Sequence, residues 1–241
     1  MADFSLRMGF AKQGPVIWLS HLEVVRAMER CVRRSGLPYA VSQGFNPHMK
    51  HSFTAALPVG TGSNGEYMEL GLASLVEPQQ ALCALQAVQH EHLPVLSAEY
   101  APRDAPSLQL YYNEAGYRVV FAEASGEAGC SSSACAPECS TDSPESQTQA
   151  ASPVEELLRR LHTRQSMEIL KKGKPRIYDL SLYLTGAERD ASDPNALLLT
   201  ILSRPEGSLR PEILLAALSR PDLSLKLVSL TRVSLQHKEL A

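Results

Sequence analysis

Apolar and polar residues alternate over Phe4–Phe10, which is the period of a half-buried β-strand. After Gly14-Pro15 the apolar spacing becomes that of a helix. Ser20, with Glu23 three residues later, has the sequence of a capping box, so we expect the helix to begin there. Gly36 is suited to end it. The positions expected to face the core are Leu22, Val25, Met28 and Val32.

The rest of the first hundred residues predicts a second helix and more extended segments. The helix is expected over Pro78–Gln89, where Leu82, Leu85 and Val88 recur at three-residue steps. The extended segments are 39–42 with 52–57, then 66–72 and 95–100. The order β-α-β-β-α-β is that of a ferredoxin-like unit. We therefore expect a ferredoxin-like first domain over residues 1–104.

The second half repeats this order of elements without repeating the sequence. The predicted strands are 117–121, 167–170, 177–184, 197–202 and 225–235. Helices are expected at 154–161 and from Pro211, a residue favoured in a first helical turn. A second ferredoxin-like domain is therefore predicted over residues 105–241. The predicted fold class is α+β, with two tandem ferredoxin-like (βαββαβ) domains that have antiparallel sheets.

Residues 124–152 differ from the rest of the chain in composition. They contain no aromatic residue, no branched aliphatic residue, no Lys and no Arg. Such a segment buries too little apolar surface to offset its ordering entropy, so we expect a disordered insert within the second domain. Cys130, Cys135 and Cys139 lie in it at C-x4-C-x3-C spacing, which does not match the C-x2-C pairs common in metal sites.

The net charge of -3 hides a basic N-terminal segment. Residues 1–50 hold seven Lys and Arg against three Asp and Glu, whereas residues 51–123 hold two against eight. Local fields therefore decide what this chain attracts. The N-terminus has neither a basic signal region nor a long apolar run, so we expect a cytoplasmic protein with no membrane partner.

Four arginines fall on one side of the first predicted helix: Arg26, Arg30, Arg33 and Arg34. Arginine suits phosphate because its planar fork donates two parallel hydrogen bonds. The pattern predicts a face that contacts phosphates, and the alternative is an ordinary solvated helix face.

The segment Ser42–Lys50 is rich in turns and in hydrogen-bond donors. Its candidate nucleic-acid contacts are Gln43, Phe45, Asn46, His48 and Lys50. Phe45 offers a ring on which an unpaired base could stack, so the combination suits single-stranded nucleic acid. The alternative is a hairpin-like loop that satisfies its own backbone while Phe45 fills a core.

Two further segments could contact anions. A basic tip could supply phosphate contacts or could be a solvated connection, and its residues are Lys171, Lys172, Lys174 and Arg176. Gly207–Glu212 resembles a turn that leads into a helix N-terminus. Backbone N–H groups there favour an anion, although simple capping explains the same sequence.

Evidence for catalysis is weak. His21, His48 and Lys50 are the candidates for general acid–base chemistry near neutral pH. No acidic or Cys ligand lies at metal-binding spacing near these histidines, so we expect no metal and no cofactor. The sequence contains no G-x-x-x-x-G-K-[ST], G-x-G-x-x-G, H-E-x-x-H or G-x-S-x-G motif.

Several segments resemble an uncharacterised bacterial family called radical-SAM-linked or radical-SAM-associated proteins. They are LRMGFAKQGPVIWLSHLEVVRAMERCVRRSGLP, SQGFNPHMK, KKGKPRIYDLSLYL and GSLRPEILLAAL. The resemblance implies an accessory module beside a radical SAM enzyme, with a link to RNA or ribosome maturation. It also implies a functional patch of Ser20, His21, Gln43, Asn46, His48 and Lys50. This chain has no C-x3-C-x2-C motif, so radical chemistry would come from the partner.

These observations predict an accessory RNA-binding module that works with a radical SAM enzyme and has no catalytic activity of its own. RNA and that enzyme are the expected partners, and DNA is not. One alternative is a metal-free RNA endonuclease or RNA-modifying enzyme. Another is a protein–protein adaptor that binds no RNA. Ferredoxin-like folds host both binding and catalytic roles, so the fold alone does not choose between them.

Overall fold

The computed structural model describes residues 4–102, 104–123, 152–171, 174–204, 207–218 and 225–238. For residues 123, 169–171 and 174–176 it describes the backbone alone. The predicted disordered insert lies almost entirely outside the described residues, as do its three cysteines. The described residues form eleven strands, six α-helices and a short 3-10 helix at Gly14–Trp18.

The strands are β1 (Phe4–Lys12), β2 (His51–Phe53), β3 (Thr61–Leu72), β4 (Val95–Tyr100), β5 (Glu114–Glu123), β6 (Ser166–Lys171), β7 (Lys174–Asp179), β8 (Leu184–Arg189), β9 (Ala196–Arg204), β10 (Gly207–Ser208) and β11 (Leu225–Gln236). The α-helices are α1 (His21–Ser35), α2 (Pro78–Gln86), α3 (Leu108–Tyr111), α4 (Pro153–Thr163), α5 (Leu180–Tyr183) and α6 (Pro211–Leu218).

The first half has the strand order β4-β1-β3-β2, and every neighbouring pair is antiparallel. Because side chains alternate across a strand, Leu6, Met8 and Phe10 share one face of β1. All three are buried and pack in one core with residues of α1 and α2. This core therefore lies between the sheet and its two helices.

The second half has the antiparallel order β11-β5-β9-β8, and the short β10 pairs with the end of β9. Its core combines inward residues of β5 and β9 with α4 and α6. The β6–β7 hairpin is a separate two-stranded sheet. The sequence did not separate this hairpin from the main sheet, because its strands show the same apolar alternation.

The two halves share one sheet. Leu230–Arg232 of β11 pairs in parallel with Thr61–Ser63 of β3, which joins the nine strands outside the β6–β7 hairpin. The predicted α+β class is confirmed as a mixed fold with a large, mostly antiparallel sheet. The division at residues 104 and 105 stays a prediction, and the parallel pairing that joins the halves had no signal in the sequence.

Helix α1 faces its core through a different stripe from the one expected. Leu22 is 66% exposed, so the prediction that it faces the core is wrong. Val24 and Cys31 occupy that face together with Met28 and Val32, a stripe at i, i+4, i+7 and i+8. Leu22 precedes Val24 by two residues, a rotation of about 200° around the helix axis, so it points away from this stripe.

A buried ion pair holds the seam between the halves. Arg232 Nη1 donates to Glu66 Oε2 at 3.0 Å and to Ala55 O at 3.0 Å, and Arg232 Nη2 donates to Tyr117 Oη at 3.2 Å. Glu66 also accepts from the hydroxyls of Thr54 at 3.0 Å and Ser63 at 2.7 Å. Glu66 lies beside residues of the first core, and Tyr117 belongs to the second core. Because Arg232 contacts both, the two cores and the helices that cover them lie on the same face of the sheet.

The opposite face of the sheet carries a second link. Arg7 points there and pairs with Glu69 at 2.8 Å, while its guanidinium lies over the rings of Tyr111 and Tyr112. The Tyr112 ring stacks on Tyr67, with 4.3 Å between centroids. The segment between β4 and β5, which contains Tyr111 and Tyr112, is thereby fixed to the first half. Burial, followed by the negative charge that Tyr67 would carry, raises the pKa of Tyr112 from 10.0 to about 12.

We expect Arg232→Met to lower the free energy of unfolding by about 3–5 kcal/mol, because it leaves the Glu66 carboxylate buried without its cation. Urea unfolding followed by circular dichroism measures the loss. Arg232→Met combined with Glu66→Gln should recover part of it. Arg159→Met, which breaks the exposed pair with Glu156 on α4, is the matched control and should leave the midpoint nearly unchanged. Equal stability of Arg232→Met and the native chain would contradict the role of the pair.

We expect one tyrosine to ionise late in an alkaline absorbance titration, with a pKa of about 12. The folded-state pKa of Tyr112 is raised, so the unfolded chain loses this proton first and stability falls between pH 10 and pH 12. Tyr112→Phe should remove the late step and flatten this part of the stability profile. Tyr39→Phe is the control and should keep both the late titration step and the fall in stability. If the late step survives in Tyr112→Phe, it belongs to another residue and the prediction is wrong.

Candidate functional site

Helix α1 presents a line of exposed arginines. Ser20 N–H and Ser20 Oγ–H both donate to Glu23 Oε2, at 2.8 and 2.7 Å, which confirms the predicted helix start. Arg26, Arg30 and Arg34 are exposed, and among the described residues no carboxylate lies within 4.0 Å of their guanidinium groups. Their charge is therefore available to a ligand.

A groove runs beside two of these arginines. It has a volume of about 410 Å³ and lies between α1 and the segment that follows α2. Arg30 and Arg34 line one side of it, and Gln89 and His90 line the other. The groove is open, and Glu91 also lines it, so its two arginines share it with one carboxylate. Cations still outnumber anions, as in a channel for a nucleic-acid backbone.

The polar segment after α1 is an exposed hairpin. A Val41–Met49 bridge closes it, and Ser42 N–H donates to His48 O at 2.8 Å while His48 N–H donates to Ser42 Oγ at 3.0 Å. Met49 is buried and fixes the stem to the first core. The structure therefore has the self-bonded hairpin backbone that was the alternative interpretation of this segment.

The tip of this hairpin carries its aromatic ring into solvent. Phe45 is fully exposed, so the alternative in which it fills a core is wrong. Gln43, Asn46 and His48 are also exposed, whereas Lys50 lies half-buried in the stem. An exposed ring flanked by amide and imidazole groups provides a stacking surface with hydrogen-bonding neighbours.

Glu29 connects the hairpin to the arginine face. It accepts from Arg33 Nη2 at 3.1 Å, and its other carboxylate oxygen lies 3.0 Å from His51 Nε2, just past the hairpin stem. The hydrogen bond with His51, helped by Arg33, lowers the pKa of Glu29. The structure therefore places the hairpin base beside α1, and it assigns Arg33 to an internal ion pair.

His21 lies one ring away from His51, because both imidazoles contact Phe53. Its ring meets Phe53 edge to face, with 5.7 Å between centroids, in a cavity of about 20 Å³ that Lys12 and Glu66 also line. A cavity needs about 10–15 Å³ to hold one water molecule, so this space has no room for a substrate. His21 and the exposed His48 do not form the acid–base pair that an RNA-cleaving site would need.

Lys12 is the residue of this region that the sequence analysis missed. It is only 2% exposed and donates from Nζ to Leu19 O at 2.9 Å. Burial lowers the pKa of Lys12, and Glu66 opposes that shift. The signal was present in the sequence, because Lys12 continues the apolar series of even-numbered residues that ends at Phe10.

The remaining predicted contacts fall partly outside the described residues. Lys171, Lys174 and Arg176 lie in the β6–β7 hairpin, where the backbone alone is described, and Lys172 lies outside the described residues. Within the described part of the chain, no group of three His, Cys, Asp or Glu side chains is placed to hold a metal ion. None of the described helices is long and apolar enough to span a membrane.

Fold and surface together define a mixed α+β protein in which α1, α2, α4 and α6 pack on one face of a shared sheet and the basic α1 lies beside an aromatic-tipped hairpin. The chain belongs to DUF2344, a family described as an uncharacterised protein conserved in bacteria, which matches residues 5–211. No curated protein matches the chain. The expectation of an uncharacterised bacterial family is thereby confirmed, while this family description makes no mention of radical SAM enzymes.

We expect His21 to titrate below the ordinary histidine pKa, first because burial disfavours its cation and then because Lys12 repels it. Glu66 acts in the opposite direction, so Glu66→Gln should lower the pKa further and Lys12→Met should raise it. The folded chain binds this proton less readily than the unfolded chain, so stability should fall as the pH drops below about 6.5.

Histidine-resolved NMR titration measures these shifts, and His48→Gln is the control that should leave the low-pKa resonance in place. A His21 pKa at or above the value for a free histidine would contradict the buried environment described here.

Proposed function

We propose that this protein is an RNA-binding accessory module that acts with a radical SAM enzyme. Its framework would be two ferredoxin-like units joined edge to edge, a proposal supported by the order β4-β1-β3-β2 in the first half and β11-β5-β9-β8 in the second. The observation that carries the RNA proposal is the fully exposed Phe45 ring on a hairpin whose base adjoins the arginines of α1.

The two parts of this surface have different tasks. The guanidinium groups of Arg26, Arg30 and Arg34 bind the phosphate backbone, which supplies affinity without sequence preference. The hairpin tip holds an unpaired base, with Phe45 stacked on its face and Asn46 near its edge. Such a surface binds a structured RNA that has an exposed loop, and presents it to the radical SAM enzyme.

The geometry supports the catalytic alternative less well. A metal-free endonuclease would need an acid and a base on opposite sides of one phosphate. His21 lies in a cavity of about 20 Å³, whereas His48 is on the exposed hairpin. These two histidines belong to separate environments, so binding is the better interpretation.

A protein–protein adaptor is the second candidate, and a specific observation favours it. Trp18, Leu22 and Val59 are 68%, 66% and 57% exposed, and Trp18 packs near Gly60, the residue after Val59. Apolar side chains of this size, exposed near one another, are typical of surfaces that bind other proteins.

Fluorescence anisotropy with a labelled RNA hairpin that has an unpaired loop tests the RNA proposal. Phe45→Ala should weaken binding by about 5- to 150-fold, the value of one base–aromatic stack of 1–3 kcal/mol. Combined Arg26→Gln, Arg30→Gln and Arg34→Gln should also reduce the dependence of affinity on salt, by roughly 0.7–0.9 in log–log slope for each lost phosphate contact.

Arg159→Gln is the matched control, since it removes one exposed charge from α4 and should leave RNA affinity unchanged. If the affinity for RNA is independent of salt, or equal in all variants, the proposal that this surface binds RNA is wrong. If RNA does not bind and a radical SAM enzyme is still retained after nuclease treatment and at high salt, the adaptor is the correct interpretation.

A further inference from the structure

A second concave site lies at the seam between the halves, away from the arginines of α1. It has a volume of about 210 Å³ and takes its walls from both halves. Ala55 and Pro58 come from the loop after β2, Tyr117 from β5 and Arg232 from β11, while Arg210 comes from the start of α6. The RNA-binding proposal uses none of these residues.

Arg232 brings an unused donor to this pocket. The residue is 3% exposed, and its Nη1 and Nη2 atoms are bonded to Ala55, Glu66 and Tyr117. Its buried Nε–H has no partner among the described residues. A buried donor without an acceptor is costly, and one in the wall of an open pocket points to an acceptor that enters from outside the chain.

The start of α6 and two serines also line this pocket. Ile213 N–H and Leu214 N–H both donate to Arg210 O at 3.1 Å, so Arg210 caps the helix and the positive end of its dipole is at the pocket. Ser203 and Ser208 also line the pocket, and their hydroxyls have no hydrogen-bond partner within the described part of the chain.

The charges around the seam favour an anion. Arg210 and Arg232 line the pocket, and no carboxylate does so among the described residues. Glu66 is already committed to Arg232, and Glu212 Oε1 lies 4.0 Å from Arg210 Nη1, outside the pocket lining. The described pocket wall therefore carries two arginines and no carboxylate.

We propose that this seam pocket binds a small organic anion, a phosphate or carboxylate group on a short apolar body. The anionic group accepts from Arg232 Nε, from Arg210 and from the serine hydroxyls. The apolar body contacts Ile201, Leu209 and Leu235, which also line the pocket. The volume lies below the roughly 300–1,000 Å³ of pockets for drug-sized ligands, so the ligand is small. Because its walls come from both halves, the bound anion also strengthens the seam.

The test uses the full chain labelled with 15N and follows the arginine Nε–Hε resonances during separate titrations with phenyl phosphate, benzoate and inorganic phosphate. The Arg232 resonance is assigned through its contacts with the Tyr117 ring. Phenyl phosphate or benzoate should shift this resonance until the pocket is saturated. The probe that binds more tightly shows whether the pocket prefers a phosphate or a carboxylate group. Inorganic phosphate, which lacks the apolar body, should bind more weakly.

Arg210→Gln should weaken the tighter probe by about tenfold or more, since a hydrogen bond to a charged group contributes 1.5–3 kcal/mol. Arg34→Gln is the matched control and should weaken RNA binding alone, so the two proposals can fail separately. No shift of the Arg232 resonance with any probe would mean that its Nε–H is satisfied by water only, and the proposal would be wrong. Equal affinity in Arg210→Gln and the native chain would also overturn it.

Discussion

The structure depends on the buried Glu66–Arg232 ion pair, because it is the polar interaction at the point where the two halves become one sheet. Removing both charges from water costs several kcal/mol per ion, and the cost is offset only if the remaining donors and acceptors are also satisfied. Thr54, Ser63 and Tyr117 provide most of these bonds. Such a pair specifies one register of β11 against β3, since a shift by one residue would turn Arg232 to the other face of the sheet and leave Glu66 buried without its cation.

The same strand carries this constraint to the exposed surface. β3 pairs with β11 through its first residues and with β2 through Met68–Leu70. His51 of β2 then meets Glu29 of α1, and Glu29 holds Arg33. The hairpin that displays Phe45 is therefore attached at its base to a rigid framework. Phe45 itself is held only by the short hairpin backbone, which lets the ring adapt to a base at little cost in stability.

The sequence was informative where structure is local and uninformative where it depends on distant pairing. Ser20 and Glu23 predict the start of α1 because a capping box involves only four consecutive residues. Leu22 was misplaced because apolar periodicity gives the period of a helix and does not fix which stripe meets the sheet. The pairing of Glu66 with Arg232 had no signal, since it joins residues 166 positions apart. For the same reason, the different environments of His21, in a small cavity, and His48, on the exposed hairpin, could be learned only from the structure.

The positions of the charged side chains show why the net charge of the chain does not predict what its surface binds. The chain is acidic overall, yet many of its carboxylates are engaged within the fold: Glu66 by Arg232, Glu69 by Arg7 and Glu114 by Lys238. In contrast, Arg26, Arg30 and Arg34 have no carboxylate at ion-pair distance in the described residues. Each of these pairs consumes one acidic and one basic group, whereas the three arginines of α1 keep their charge unpaired at the surface. An anionic ligand approaching α1 meets a positive local field, although the net charge of the molecule is -3.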